Sequence, residues 1–309
     1  MTASGALYPQ KSTIVRARNA GALIALRTAF GVLERVAPAV GARWAEQLWC
    51  TPPRPRTRRD NRPGPGERFT VMFDGRPIAV ETWGSGPNVY LMHGWGGWRG
   101  QLGGFVTPLV EAGYRVVAFD ALSHGDSGAG SMGARRSTLL EFADALGAVV
   151  TVVGPAHAVV AHSAGCVATA LAVSQWLTAE RLVFVAPMSD PAPYLDQFAQ
   201  ALGLGERIRG GFLRRLEQRV GMPMRAFHIP GMADPESGRP APPPTLVIHD
   251  RRDKETWYAD GVAIAASWPG AELMTTDGLG HRRILRDPDV ITAVVRFITA
   301  SPVTMTRSA

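Results

Sequence analysis

Val159-Val160-Ala161-His162-Ser163-Ala164-Gly165-Cys166 decides the reading of this chain, because an apolar run of strand character ends there and an alanine-rich helical run begins. A serine at such a strand-to-helix corner projects its hydroxyl clear of the backbone, provided small residues flank it where strand and helix approach closely. Ala161 stands where the pattern G-x-S-x-G has its first glycine, and alanine is still small enough for the corner to form. A serine that merely caps a helix N-terminus is the competing reading. Outward from this corner, strand and helix signals alternate, the pattern of a mostly parallel sheet with helices on both faces.

Strands are expected over 68–73 and 77–82, a hairpin around Asp74-Gly75, then over 88–92, 115–119, 156–161, 181–186, 245–248 and 272–275. Helices are expected near 100–112, 137–151, 165–178, 257–268 and 287–299. Residues 188–244 interrupt the rhythm with Phe212, Leu213, Leu216, Val220, Met222, Met224 and Phe227 among Arg207, Arg209, Arg214, Arg215 and Arg219. More than fifty residues between two sheet strands reads as an inserted cap. The core is therefore expected at 67–187 and 245–300, preceded by an extension over 1–66.

Chemistry at a serine needs a base, an acid to orient it, and donors for the developing oxyanion. The third strand runs into His93-Gly94-Trp95-Gly96-Gly97, a turn whose glycines free backbone amides. The amides of Trp95 and Ala164 are the expected oxyanion donors. His281, in the flexible Gly278-Leu279-Gly280-His281 loop after the last strand, is the expected base. Asp253 in His249-Asp250-Arg251-Arg252-Asp253 is the first choice of acid, with Asp250 and Asp190 as alternatives. His93, Gly94, His162 and Met188 are expected to line the substrate site.

Taken together, residues 67–300 resemble the α/β-hydrolase superfamily. The order Ser163, Asp253, His281 agrees with that family's order of nucleophile, acid and histidine, and Asp120-Ala121-Leu122-Ser123-His124-Gly125-Asp126-Ser127 is similar to its structural Asp-x-x-x-His-Gly-x-Ser loop. The resemblance implies an eight-stranded α/β-hydrolase fold with a small helical cap. It implies a serine hydrolase of a carboxylic ester or thioester working through an acyl-enzyme. Carbon-carbon bond hydrolysis, another acyl transfer on the same triad, or a non-catalytic hydrolase-like binding protein are the alternatives. Serine in place of aspartate at the corner sets aside the branches that use a carboxylate nucleophile.

Composition narrows the partners. With 309 residues, 46% apolar and 19% charged, the chain can bury a core without disulfides, and Cys50 and Cys166 make no framework. The formal charge of +7 is lopsided: residues 1–66 carry +8 and the remainder −1, so a basic nucleic-acid surface across the core is not expected. No stretch reaches the apolar length that spans a bilayer. Residues 20–49 place Leu23, Leu26, Phe30, Leu33 and Val40 at helical spacing, interrupted by Pro38, and read as a helix packed on the main domain. A peripheral membrane contact through residues 1–62 is the alternative, and the protein is otherwise expected in the cytoplasm. Ala37-Pro38-Ala39 has the look of a signal cleavage site, but Arg27, Glu34 and Arg35 break the run before it. Thr51 to Gly66 reads as an extended linker with little to bury. The Gly128–Gly133 G-x-G-x-x-G neither follows a strand directly nor opens a helix, and no Cys/His cluster has metal spacing. No cofactor or metal is expected.

Overall fold

The structure, a computed structural model, describes residues 20–53, 60–233 and 240–300. Helices α1 (Ala20–Val36) and α2 (Pro38–Trp49) come first, then strands β1 (Glu67–Phe73), β2 (Arg76–Trp83) and β3 (Asn88–Met92). A 3₁₀ segment, Arg99–Phe105, leads into α3 (Val106–Glu111), β4 (Arg115–Phe119), α4 (Leu139–Val153), β5 (Ala156–His162), α5 (Ala164–Gln175) and β6 (Ala179–Val185). After them come α6 (Ala192–Leu202), α7 (Glu206–Val220), β7 (Thr245–Asp250), α8 (Tyr258–Ser267), β8 (Ala271–Thr276), the single turn α9 (Gly280–Arg283) and α10 (Pro288–Thr299).

The eight strands form one sheet in the order β1-β2-β4-β3-β5-β6-β7-β8. β1 and β2 pair antiparallel through a turn at Asp74 and Gly75, both at positive φ (48° and 71°), the conformation that matches strand twist. β2 also runs antiparallel to β4, and every later pair is parallel. Central strands of such a sheet are covered on both faces, which is why they read as unbroken apolar runs. Side chains alternate accordingly: Tyr90, Met92, Val159 and Ala161 pack in one core with α4 and α5, while Val89, Leu91, Ala158 and Val160 pack in the other with Leu102, Leu109 and α10 residues such as Val294.

The loop after β4 shows why Asp120 and Gly125 occur together. Asp120 accepts the Asp126 amide at 2.8 Å and the Arg99 amide at 2.6 Å, and pairs with the Arg99 guanidinium. A Cβ on Gly125, itself at φ 51°, would lie 1.9 Å from the Asp120 carboxylate. Ser127 donates to the Asp120 carbonyl at 2.6 Å and accepts the Ala79 amide at 2.9 Å, so the loop is tied to β2. The stretch read as a linker is not idle at its end: Arg62 pairs with buried Glu81, which also holds Arg99 at 3.0 Å. Residues 54–59 of that stretch lie outside the described residues.

The N-terminal extension departs from expectation in where it docks. α1 and α2 pack on the inserted helices, not on the sheet: Phe30, Ala42 and Ala45 share a core with Leu195, Phe198, Leu202, Ile208, Phe212 and Leu216. α2 and α7 meet at glycines, since a Cβ on Gly41 would lie 2.4 Å from Ile208 Cδ1 and one on Gly211 2.9 Å from Ala42 Cβ. Glu34 accepts the Arg207 and Ile208 amides at 2.9 and 3.0 Å, capping α7 from another helix. Glu46, buried in the seam, holds Arg215 at 2.6 Å and Arg219 at 2.7 Å. The inserted segment is thus half of a four-helix unit. At its foot, Ser189 and Tyr194 donate to the Asp260 carboxyl on α8, each at 2.5 Å.

Candidate active site

Ser163 sits between β5 and α5 at φ 55° and ψ −125°, a strained conformation for a residue with a Cβ. The corner holds because its backbone is tied on both sides. The Ser163 amide donates to the Val185 carbonyl at 3.1 Å, and the Ser163 carbonyl accepts Cys166 N at 3.0 Å and Met188 N at 3.3 Å. The small neighbours are required. A Cβ on Gly165 would lie 2.5 Å from the His93 carbonyl, and one on Gly94 would lie 2.8 Å from Ser163 Cβ. Ala161 is accommodated in the core beneath α4 and α5.

The last strand and the turn after it deliver the imidazole. His281, in α9 behind Gly280 at φ 66°, places Nδ1 2.8 Å from Asp253 Oδ2. Its ring lies 4.5 Å, centroid to centroid, from that of His162, the residue before Ser163. His162 donates from Nε2 to the His281 carbonyl at 3.0 Å, which fixes its tautomer, and its buried Nδ1 is unpartnered among the described residues. Burial holds His162 well below its ordinary pKa, so it is neutral. Ser163 Oγ has no hydrogen-bond partner among the described residues, and His281 Nε2 lies 4.0 Å from Glu255 Oε2, which also binds Arg282 at 3.1 Å.

Asp253 is the carboxylate the structure brings to His281. Its Oδ1 accepts the Glu255 and Thr256 amides at 2.7 and 3.1 Å, and its Oδ2 accepts His281 and the Thr256 hydroxyl at 2.8 and 3.1 Å. Burial alone pushes its pKa up, but the donors from His249, His281 and the Glu255 amide outweigh that and hold it well below the usual carboxylate range. Asp250 faces elsewhere: it accepts Arg252 N at 2.9 Å, Thr276 Oγ1 at 2.8 Å and Leu279 N at 2.8 Å, pinning the loop that carries His281. Asp190 accepts the Ala192 amide at 2.9 Å at the start of α6.

Two backbone amides at the corner are left without an acceptor among the described residues. Gly96 N donates to His124 Nε2 at 3.0 Å and Gly97 N to Gly94 O at 2.9 Å, yet neither Trp95 N nor Ala164 N meets a protein acceptor among the described residues. Ala164 is the first residue of α5, where amides are left free by the helix itself. The Trp95 ring stacks on Phe142 at 5.7 Å and meets His124 edge-on. His93 is fully buried with both nitrogens occupied: Nδ1 lies 2.8 Å from the Gly94 carbonyl and Nε2 accepts the Ala121 amide at 3.0 Å. Both contacts tie its ring to the turn, and burial brings its pKa down to about 4. Met188 is half-buried beside the serine corner, and Gly94 lies against Ser163 itself.

Thr256, which packs beside His249, was not legible as a site residue. The Thr256 hydroxyl lies 3.1 Å from the Ala186 carbonyl, 3.2 Å from His281 Nδ1 and 3.4 Å from His249 Nε2, while His249 Nε2 lies 3.7 Å from Asp253 Oδ2. The only sequence signal is a hydroxyl three positions after the acid.

Residues 89–294 match the family described as the alpha/beta hydrolase family. No curated protein sequence matches the chain. Among solved structures, a hydrolase from Pseudomonas aeruginosa is 23% identical over 76% of this chain and 99% of its own, with a TM-score of 0.56. An esterase from Exiguobacterium antarcticum is 16% identical over 76% of this chain and 100% of its own, at 0.56. A bacterial membrane phospholipase A is 17% identical over 90% of this chain and 96% of its own, at 0.57.

Proposed function

Because the chain belongs to the alpha/beta hydrolase family, we propose that it is a serine hydrolase that cleaves a carboxylic ester or thioester through an acyl-enzyme. The observation that carries this reading is the 2.8 Å contact of His281 Nδ1 with Asp253, beside a serine held at positive φ. Asp253 fixes the tautomer in which Nε2 is the bare acceptor. A side-chain rotation brings Ser163 Oγ to that nitrogen, which takes the hydroxyl proton as Oγ attacks the carbonyl carbon. The free amides of Trp95 and Ala164 receive the oxyanion, and His281 returns the proton to the departing alcohol or thiol. Water, activated by the same imidazole, then releases the acid and restores the serine.

Ser163 and His281 each expose just under a tenth of their surface. The experiment is a screen of p-nitrophenyl esters of increasing chain length beside acyl-CoA substrates, with Ser163→Ala as control. Hydrolysis that falls by about 10⁴-fold or more in the variant supports the reading. Retention of a tenth of the activity rejects Ser163 as the nucleophile.

A further inference from the structure

We propose that the outer face of the four-helix unit is a docking surface for an anionic lipid bilayer. α1 buries Leu23, Leu26, Phe30 and Leu33 against its partners, and turns Ile24, Thr28, Val32 and Val36 outward within an arc of about 120° at 100° per residue. Ile24, Val32 and Val36 expose 63%, 53% and 73% of their surface, and Val40 at the start of α2 exposes 57%. A contiguous aliphatic ridge of this kind on a folded chain marks an interaction site.

The charge around the ridge is positive and available. α1, α2, α6 and α7 carry eight arginines and five carboxylates, and four of the five carboxylates are consumed inside the unit. Glu34 caps α7, Glu46 holds Arg215 and Arg219, Asp196 holds Arg209 at 2.6 Å, and Glu217 accepts the Met224 amide. Arg27 and Arg35 are exposed on α1 itself. Between the first turns of α2 and the side of α7 opens a cleft of about 430 Å³, lined by Pro38, Ala39 and Ala42 with Arg207, Arg214 and Arg215. The guanidinium groups of Arg207 and Arg214 have no carboxylate partner among the described residues; that of Arg207 donates to the Glu34 carbonyl at 3.2 Å.

Guanidinium groups over an apolar floor fit lipid phosphates, to which arginine bonds through two parallel N–H groups. The ridge presents only branched aliphatic side chains and one threonine, which suits acyl chains and offers little to orient a protein partner. Anionic headgroups supply the charge and the acyl boundary supplies the burial. This surface stands apart from Ser163 and does not depend on the activity assigned to it.

The test is co-sedimentation of the full chain with vesicles of phosphatidylcholine alone or with one third phosphatidylglycerol. Binding at least about tenfold stronger to the anionic vesicles, and falling with added salt, is expected. Val32→Asp/Val36→Asp lowers that binding by about tenfold or more, and Arg207→Gln/Arg214→Gln removes the preference for anionic vesicles, both with an unchanged circular dichroism spectrum. No vesicle binding, equal binding to both vesicles, or binding unaffected by the Val32/Val36 exchange overturns the proposal. Inorganic phosphate that displaces the chain beyond the effect of chloride at equal ionic strength reassigns the cleft to a soluble anion and also overturns it.

Discussion

Asp253→Asn, set against Asp250→Asn, separates the first-choice acid from its nearest alternative. In the wild type, Asp253 Oδ2 accepts His281 Nδ1–H at 2.8 Å, so Nε2 is the basic nitrogen. An asparagine held by the Glu255 and Thr256 amides at its oxygen turns its NH₂ toward His281, and Nδ1 becomes the acceptor. The proton then resides on Nε2, which can no longer take one from Ser163. Loss of the correct tautomer costs about 10⁴-fold in kcat, or about 5.5 kcal/mol of transition-state stabilisation. Asp250→Asn leaves that pair intact and weakens only the hydrogen bonds from Thr276, Arg252 and Leu279. It should cost about 1–3 kcal/mol of stability and at most about tenfold in kcat. The assay is kcat and KM on the best p-nitrophenyl ester, with thermal unfolding alongside. Asp253→Asn retaining a tenth of the rate, or Asp250→Asn losing as much as Asp253→Asn, refutes the assignment.

Three further outcomes follow from the same geometry. His93 has a folded pKa of about 4 against about 6.5 when unfolded, so the unfolded chain binds the extra proton first. Its contribution, about 3 kcal/mol, is present above pH 6.5 and lost as the pH falls toward 4; His162 adds to the same loss, and denaturant titrations across that range should show it. Glu46→Gln removes the charge that holds Arg215 and Arg219, arginines about a third exposed. It should destabilise the four-helix unit by about 1–3 kcal/mol, read as early loss of protection in hydrogen exchange of α2 and α7, with the sheet unaffected. Thr256→Val keeps the shape but removes a hydroxyl that Asp253 accepts, and should lower kcat by about tenfold with KM little changed, while Thr256→Ser restores it.

The sheet was readable because its central strands are buried on both faces and leave unbroken apolar runs such as Val89–Met92 and Val159–Ala161. The corner at Ser163 was readable for a related reason: close approach of strand, helix and the His93–Gly97 turn forces Gly94 and Gly165 to be small. Among Asp253, Asp250 and Asp190 the sequence could rank Asp253 first but not exclude the others, since all three sit near strand ends and spacing does not encode the direction of a carboxylate. The docking of α1 and α2 was hidden because their partner, α7, lies some 170 positions away and meets them through Gly41 and Gly211, which look like helix defects in sequence. Glu46 gave no sign of its burial because its partners, Arg215 and Arg219, are equally remote. Thr256 offered nothing beyond a hydroxyl three positions after Asp253.

The most direct test of the account is mass-spectrometric mapping of the site labelled by a fluorophosphonate probe. The account predicts a single phosphonylated residue, Ser163, with labelling slowed at least about a hundredfold in His281→Ala and abolished in Ser163→Ala. A folded wild-type protein that takes no label, or takes it on another residue, contradicts it.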